Sequence, residues 1–140
     1  MSDKQVSEIV IALGSNHDAE AAFACATDAL SQLGKVMMSD IISGRDFTGR
    51  SKRIYHNSCA YIVLTQTVNY TDIEIKLKTI ERLCGRDPAK KCAEYDYQVA
   101  MDLDILAVCV DGKWQPSNAR LPFKNHDLQG LRQVAAFLLD

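Results

Sequence analysis

The sequence predicts an α+β fold with a mainly antiparallel sheet, and three observations support this prediction. Segments rich in β-branched and aromatic residues alternate with segments whose apolar residues recur at helical spacing. The length of 140 residues fits one ordinary domain, which we assign to residues 1–140. The composition is 47% apolar with a net charge of −2, which excludes an intrinsically disordered chain.

The first predicted elements are a strand and a helix. Residues 8–13 are mostly apolar and β-branched, and the turn Gly14-Ser15-Asn16 ends this strand. Ser15 or Asn16 can cap the following helix, and Gly34 is placed to end it. The apolar residues of this helix share one face: Ala22, Ala26, Ala29, Leu30 and Leu33.

Two further strands are separated by a loop. Residues 36–42 predict the second strand. Residues 44–53 contain two glycines and four cations and predict a mobile loop. Residues 55–68 are rich in β-branched and aromatic residues, which predicts a long strand.

A second helix and a second loop come next. Thr71 and Glu74 have the spacing of a capping box, in which Thr71 bonds forward and Glu74 reaches back. Gly85 is placed to end the helix in a left-handed conformation. Residues 85–97 show no periodicity and predict a loop. The apolar face of this helix consists of Ile73, Leu77, Ile80 and Cys84.

The C-terminal part predicts a strand, a hairpin and a helix. Residues 99–110 predict the strand, and Asp111-Gly112 predicts a hairpin turn into residues 113–115. The final helix begins at about Asn125. Its predicted apolar face consists of Leu128, Leu131, Ala135 and Leu138.

The predicted order is β-α-β-β-α-β with an added C-terminal hairpin and helix. This order is typical of a ferredoxin-like α+β sandwich, in which helices cover one face of a mainly antiparallel sheet. We therefore expect a ligand cleft on the uncovered face, beneath the two irregular loops.

Composition also excludes several classes of function. The near-neutral charge argues against a general nucleic-acid binder, which uses an excess of Lys and Arg. No apolar run approaches the ~18 residues of a membrane span. The segment 1–5 lacks a signal-peptide pattern. We expect a soluble, cytoplasmic protein, a monomer or weak oligomer, without nucleic-acid or membrane partners.

The cysteines predict free structural thiols rather than a zinc site. Their number is odd, and none of them forms a CxxC pair with metal-ligand spacing. They are Cys25, Cys59, Cys84, Cys92 and Cys109.

The strongest candidate for a chemical site is the strand segment that contains Asp102 and Asp104. Side chains alternate along a strand, so the two carboxylates lie on one face, about 6.6–6.8 Å apart at Cα. Without a cation between them they repel each other, whereas Mg²⁺ would form an oxygen site with open positions for phosphate. A solvated strand face is the alternative interpretation.

Both predicted loops carry cations that are suited to phosphate oxygens. The sequence has no glycine-rich phosphate loop, so side chains and metal would have to hold any phosphate. These loop cations are Arg45, Arg50, Lys52, Arg53, Arg86, Lys90 and Lys91.

Four short blocks resemble the 6-hydroxymethyl-7,8-dihydropterin pyrophosphokinase family. They occur in the family's order at nearly the family's spacing and span almost the whole chain. The blocks are Ile11-Ala12-Leu13-Gly14-Ser15-Asn16, Tyr55-His56-Asn57, Glu81-Arg82-Leu83-Cys84-Gly85-Arg86 and Asp102-Leu103-Asp104-Ile105.

The resemblance implies an enzyme of folate biosynthesis that transfers pyrophosphate from ATP to a pterin alcohol and releases AMP. Asp102 and Asp104 would bind two Mg²⁺ ions that bridge the ATP phosphates. Tyr55 would stack on the pterin ring, and Asn57 would hydrogen-bond its edge.

The resemblance also implies nucleotide contacts. Glu81 and Arg86 would contact ATP. In the C-terminal region one alignment places Phe123 and Gln129 at a family His and Arg. We prefer the alignment that recovers both residues, as His126 and Arg132, at the cost of a short insertion.

The sequence departs from the family pattern in the second loop. Val99 and Pro88 stand where the family has arginines, and Lys90 and Lys91 are the candidates to replace them. Because lysine lacks the two-pronged guanidinium, impaired catalysis is one expectation. The alternatives are a non-catalytic pterin- or nucleotide-binding relative and a ferredoxin-like protein-interaction module. Val134 also replaces a phenylalanine that would stack opposite Tyr55.

Overall fold

The structure, a computed structural model, describes residues 4–140, so residues 1–3 of the predicted domain lie outside the described residues. Single 3₁₀ turns occupy Pro88–Lys90, Ala93–Tyr95, Asn118–Arg120 and Ala136–Leu139. The helices and strands are β1 (Gln5–Ser15), α1 (Ala19–Ser31), β2 (Gly34–Met38), β3 (Ile42–Arg45), β4 (Ile54–Asn69), α2 (Tyr70–Leu83), β5 (Asp102–Val110), β6 (Lys113–Pro116) and α3 (Asn125–Val134).

The strands form one open sheet of six in the order β2-β4-β1-β5-β6, with β3 also paired to β4. Within residues 4–140 every strand pair is antiparallel. Helix α1 connects β1 to β2, and β4 lies between these two strands in the sheet. Helix α2 connects β4 to β5, and β1 lies between them. This is the split β-α-β arrangement. The predicted ferredoxin-like α+β fold is confirmed.

Apolar cores lie on both faces of the sheet. The larger core packs β1 side chains such as Ile9 and Ile11 against Leu30 of α1 and Ile73 of α2. The smaller core joins the opposite face of β1 to Leu131 of α3. The expectation that the helices cover one face only is therefore wrong.

The apolar stripe of α3 explains this difference, because Leu131 and Ala135 are almost completely buried against the second face. Gly130 lets the helix approach the sheet closely, since a Cβ on it would lie 2.6 Å from Cys59 Sγ. Only the part of this face beside α3 is left for a cleft.

The predicted strand 36–42 is two short strands with a break at Ser39. The Ser39 hydroxyl accepts a hydrogen bond from the Cys59 N–H at 2.8 Å, in place of a backbone carbonyl. The next N–H, of Asp40, donates to the side chain of Gln133 at 2.7 Å. The Ser39 N–H still donates to the Cys59 carbonyl at 2.9 Å, so side chains replace only part of the strand pairing at this point.

The helix starts differ from the predicted ones. The Asn69 side chain caps α2 by accepting from the Thr71 N–H at 2.9 Å, so Thr71 is not the cap residue. Asp18, in a left-handed conformation, directly precedes α1, and its side chain makes no capping hydrogen bond. Ser15 and Asn16 do not cap it, because the Asn16 side chain is used by the second loop: Asn16 Oδ1 accepts from the Val99 N–H at 2.6 Å.

Other boundaries also shift. Helix α1 ends at Ser31, and Gly34 opens β2 instead of ending the helix. The strand predicted over residues 99–110 begins at Asp102. Gly85 takes the predicted left-handed conformation, with φ of 99°. Asp111 and Gly112 also have positive φ and form the predicted hairpin turn between β5 and β6.

Residues 4–140 contain no helix that is both long and apolar enough to cross a membrane. All five cysteines are free thiols, as the sequence predicts. In the described part of the chain no group of three or more His, Cys, Asp or Glu side chains is placed to hold a metal ion.

The start of β2 generates a test of the sheet packing. A Cβ on Gly34 would lie 2.1 Å from the Val63 carbonyl oxygen, which is backbone and cannot move without displacing β4. We expect Gly34→Ala to lower the free energy of unfolding by about 1–3 kcal/mol, measured by denaturant titration. Gly44→Ala is the control, because nothing lies within 4 Å of the added Cβ. Equal stability of the two variants would contradict this packing.

Candidate functional site

A cavity of about 360 Å³, the sheet cavity, opens beside α3 on the second face of the sheet. Gly14 of β1 is paired with Asn57 on β4 and with Asp102 on β5. Two residues away on β1, Ala12 is paired with Asp104. Gly14 and Ala12 have no side chain or a small one, so β1 leaves space above the sheet here. Polar side chains from β4 and β5 flank this space on both sides.

Asp102 and Asp104 face the sheet cavity together. Arg86 Nη1 lies 3.2 Å from Asp102 Oδ1, and Arg120 Nη1 lies 3.4 Å from Asp104 Oδ2. Each carboxylate therefore has its own guanidinium. The side chains of both carboxylates are 37% exposed, so a ligand can still reach them.

The carboxylates have different proton affinities. Burial, together with the charge of Asp102, raises the pKa of Asp104 to about 6. Burial also raises the pKa of Asp102, but the positive charge of Arg86 and hydrogen bonds from Asp104 and Arg86 lower it. The net result is a pKa of Asp102 below its usual value. The two groups therefore repel each other, and a proton or a cation between them relieves that repulsion.

The donor set fits Mg²⁺. Two carboxylates provide hard oxygen ligands, and Mg²⁺ binds typically through one or two carboxylates plus waters and substrate phosphates. A third protein ligand is not required for such a site.

The end of α2 positions β5. Glu81 Oε2 accepts from the Leu103 N–H at 2.8 Å, and Arg86 Nη1 donates to the Met101 carbonyl at 3.2 Å. Burial raises the pKa of Glu81, which has only 6% of its surface exposed. These two side chains therefore hydrogen-bond to the backbone of the residues adjacent to Asp102 and Asp104. Glu81 lies outside the lining of the sheet cavity, although the sequence predicts a nucleotide contact.

Tyr55 and Asn57 converge over Gly14. A Cβ on Gly14 would lie 3.3 Å from Asn57 Oδ1 and 3.7 Å from Tyr55 Cε1. Both side chains line the sheet cavity. Burial and the charge of Asp102 raise the pKa of Tyr55, so its hydroxyl keeps its proton near neutral pH. The pair offers an aromatic ring and an amide within one cavity.

The first loop, predicted to be mobile, has a folded conformation. Asp46 accepts hydrogen bonds from the Thr48 N–H at 2.9 Å and the Ser51 N–H at 3.0 Å. The loop also contacts the second loop, because the Lys52 N–H donates to the Asp96 carboxylate at 3.2 Å. Arg53 Nη2 donates to the Tyr95 carbonyl at 3.0 Å. The two loops form one wall of the site.

The predicted loop cations divide into two groups. Arg45, Arg50 and Lys91 line the sheet cavity, and Arg50 lies over the Tyr97 ring at 5.0 Å. Four others lie outside this lining: Lys52, Arg53, Arg86 and Lys90. Lys90 Nζ lies 5.9 Å from the centre of the Tyr95 ring.

Of the two C-terminal residues predicted to bind the nucleotide, one lines the sheet cavity and the other does not. His126 lines the sheet cavity, and burial lowers its pKa. Arg132 is exposed on α3 and does not belong to the lining.

Sequence reasoning missed several residues of the site. Arg120 and Lys124 line the sheet cavity, as does Phe47, whose ring lies 4.4 Å from Lys124 Nζ. Arg120 also contacts the buried Asp127 of α3. The clue in the sequence was that Arg120 is a cation directly before Leu121. Its partner Asp104 lies on β5, and the two residues come together only in the folded sheet.

A second cavity of about 220 Å³, the helix cavity, lies between α2 and the Asn118–Arg120 turn. Leu77 of α2 and Ile105 of β5 supply apolar walls. Asp104 and Arg120 line both cavities, so this ion pair borders both spaces. Two molecules that bind in the two cavities would therefore each lie next to Asp104.

The comparisons with known proteins agree with the resemblance noted in the sequence. The curated proteins include no significant match to the chain. The family model described as 7,8-dihydro-6-hydroxymethylpterin-pyrophosphokinase matches residues 10–130, a range that contains both carboxylates and every residue lining the sheet cavity. The chain therefore belongs to the 7,8-dihydro-6-hydroxymethylpterin-pyrophosphokinase family, whose enzymes are pterin pyrophosphokinases of folate biosynthesis.

Proposed function

We propose that the protein transfers a pyrophosphoryl group from ATP to the hydroxymethyl oxygen of 6-hydroxymethyl-7,8-dihydropterin, with Mg²⁺, and releases AMP. The observation that carries this proposal is that Asp104 and Arg120 line both cavities. A transfer between two substrates needs adjoining spaces with a charged boundary, where the reacting atoms are held together.

The sheet cavity is assigned to the pterin. The ring of Tyr55 provides a stacking surface, and Asn57 provides a donor and an acceptor for the ring edge. The hydroxymethyl group then points toward Asp102 and Asp104. The volume of about 360 Å³ is in the range of small-molecule sites.

The helix cavity is assigned to the base and sugar of ATP. Its apolar walls suit a flat base, and a nucleotide bound there would have its phosphates near Asp104, which lines both cavities. Asp102 and Asp104 would hold two Mg²⁺ ions, which when bound neutralise and orient the phosphate oxygens. The hydroxymethyl oxygen bonds to the β-phosphorus and gives up its hydroxyl proton to solvent, as the bond from that phosphorus to the AMP oxygen breaks and AMP leaves.

The remaining predicted residues are assigned to the nucleotide. His126 and Lys91 reach the phosphates from the walls of the sheet cavity. Lys90 and Arg132 would act from the rim. Glu81 and Arg86 hold β5 in the position that the phosphates require.

Cations from new positions replace the arginines missing at Val99 and Pro88. Val99 is 1% exposed, and its N–H is bonded to Asn16, so it belongs to the structural core of the second loop. Arg120 and Lys124 approach the same space from the C-terminal segment. Charge neutralisation in phosphoryl transfer depends on where the positive charge lies, not on which segment carries it.

The carboxylates provide the first test of this proposal. We expect Asp102→Asn combined with Asp104→Asn to abolish AMP release from ATP and pterin, because the neutral amides cannot hold the divalent ions. Release is measured by chromatography of the nucleotides.

Asp111→Asn is the control for this test, since Asp111 lies in the hairpin turn at the far end of β5 and its positive φ suits asparagine. It should release AMP at the wild-type rate. Circular dichroism must show that the double variant is folded. If the folded double variant matches the wild-type rate, the proposal is wrong.

Tyr55 provides a test of the pterin position. Stacking on an aromatic side chain contributes about 1–3 kcal/mol per base, and pterin has a comparable ring. We expect Tyr55→Ala to weaken pterin binding by roughly five- to 100-fold in calorimetric titration, and Tyr55→Phe to retain most of the affinity. Unchanged pterin affinity in the alanine variant would contradict the assignment.

The non-catalytic relative is the second candidate function. The buried Val99 favours it, because the second loop has lost an arginine position. The two candidates are separated by incubating the protein with ATP, Mg²⁺ and the pterin. Binding of both ligands without AMP release over hours supports the non-catalytic relative, and AMP release supports the enzyme.

A further inference from the structure

Asp127 is a buried carboxylate, and its contacts within helix α3 do not neutralise its charge. It is 1% exposed and lies in the first turn of α3. Its Oδ2 accepts from the Lys124 N–H at 3.4 Å, a long contact for a hydrogen bond. Its Oδ1 is enclosed and has no hydrogen-bond partner. Helix capping therefore uses only part of this carboxylate, and a buried charge remains to be balanced.

The guanidinium of Arg120 provides that balance. Arg120 Nη2 lies 3.6 Å from Asp127 Oδ2, while Nη1 lies 3.4 Å from Asp104 Oδ2. His126 Nε2 lies 3.6 Å from the other Asp127 oxygen, but burial lowers the pKa of His126, so arginine is the permanent cation here.

Arg120 has unused donors. Its Nε is enclosed and has no partner, and both of its ion pairs are longer than an ordinary hydrogen bond. A divalent ion at Asp104 would compete with Arg120 for that carboxylate. The guanidinium would then keep one anchor, Asp127, and direct its free N–H groups into the cavities that it borders.

We propose that Asp127 is a positioning residue that retains the Arg120 guanidinium at the boundary of the two cavities, where it binds a phosphate oxygen of the nucleotide. This inference rests on the proposed function, because it takes ATP as the source of the phosphate. The planar guanidinium suits phosphate, since two parallel N–H groups match two oxygens. Without Asp127, the released side chain would have no fixed direction.

A double-mutant cycle tests the inference with the full chain. Asp127→Asn, Arg120→Gln and the double variant are titrated with ATP and Mg²⁺ by calorimetry. We expect Asp127→Asn to weaken ATP binding about fivefold or more, and Arg120→Gln about tenfold or more. The double variant should lie within about twofold of Arg120→Gln, since Asp127 acts only through Arg120. Pterin affinity should be unchanged in Asp127→Asn.

Asp72→Asn is the matched control, because Asp72 occupies the first turn of α2 and lies outside both cavities. It should leave ATP affinity unchanged. Thermal unfolding of each variant is measured in parallel. A purely structural Asp127 would lower the midpoint of unfolding of Asp127→Asn but leave its ATP affinity at the wild-type value, and this result overturns the inference.

The remaining outcomes separate the inference from the proposed function. If the wild-type protein fails to bind ATP with Mg²⁺, both fail. If the wild-type protein binds and Asp127→Asn binds equally well, or if the two single effects simply add, only the inference fails. If Asp127→Asn does not fold, the ATP affinity of Arg120→Gln becomes the deciding measurement. An Arg120→Gln variant that binds ATP as tightly as the wild type overturns the inference.

Discussion

The antiparallel register of β1 with β4 and β5 is the constraint on which the site depends. It places Gly14 between Asn57 and Asp102, and Ala12 beside Asp104. Because side chains alternate along a strand, a shift of one residue would turn both carboxylates into the larger core and bring Leu103 to the cavity. Ile9 and Ile11 of β1, which are fully buried in the larger core, make such a shift costly. The apolar core therefore fixes the position of the polar groups.

The charges of the site are arranged so that binding is an exchange of partners. Arg86 and Arg120 each neutralise one carboxylate, and Asp127 holds the second guanidinium from behind. Cations and phosphates that enter can take over these pairs without leaving a charge buried alone, which is the costly state. Glu81 belongs to the same arrangement, because it fixes the backbone between the two aspartates without facing the sheet cavity.

The sequence predicts the element order, the common face of Asp102 and Asp104, and the Asp111-Gly112 turn, because each follows from local periodicity or turn chemistry. It does not predict that Asn69 caps α2, since two neighbouring polar residues compete for one cap. It also misses the position of α3 and the pair of Arg120 with Asp104, because these depend on packing between distant segments. Phe47 is missed for the same reason, since contacts with residues distant in the sequence, such as Asp96 and Tyr95, hold its loop at the site.

The missing loop arginines are therefore weaker evidence against catalysis than they are in the sequence alone. An alignment compares cations position by position, whereas a phosphate bound in the cavity would respond to the summed electrostatic field of all its charged groups. Three cations of the loops and two of the C-terminal segment line the sheet cavity, against three aspartates: Arg45, Arg50, Lys91, Arg120, Lys124, Asp46, Asp102 and Asp104. With all of these groups ionised the lining is net positive. This positive charge would suit the triphosphate of the proposed nucleotide, although it comes from different segments of the chain.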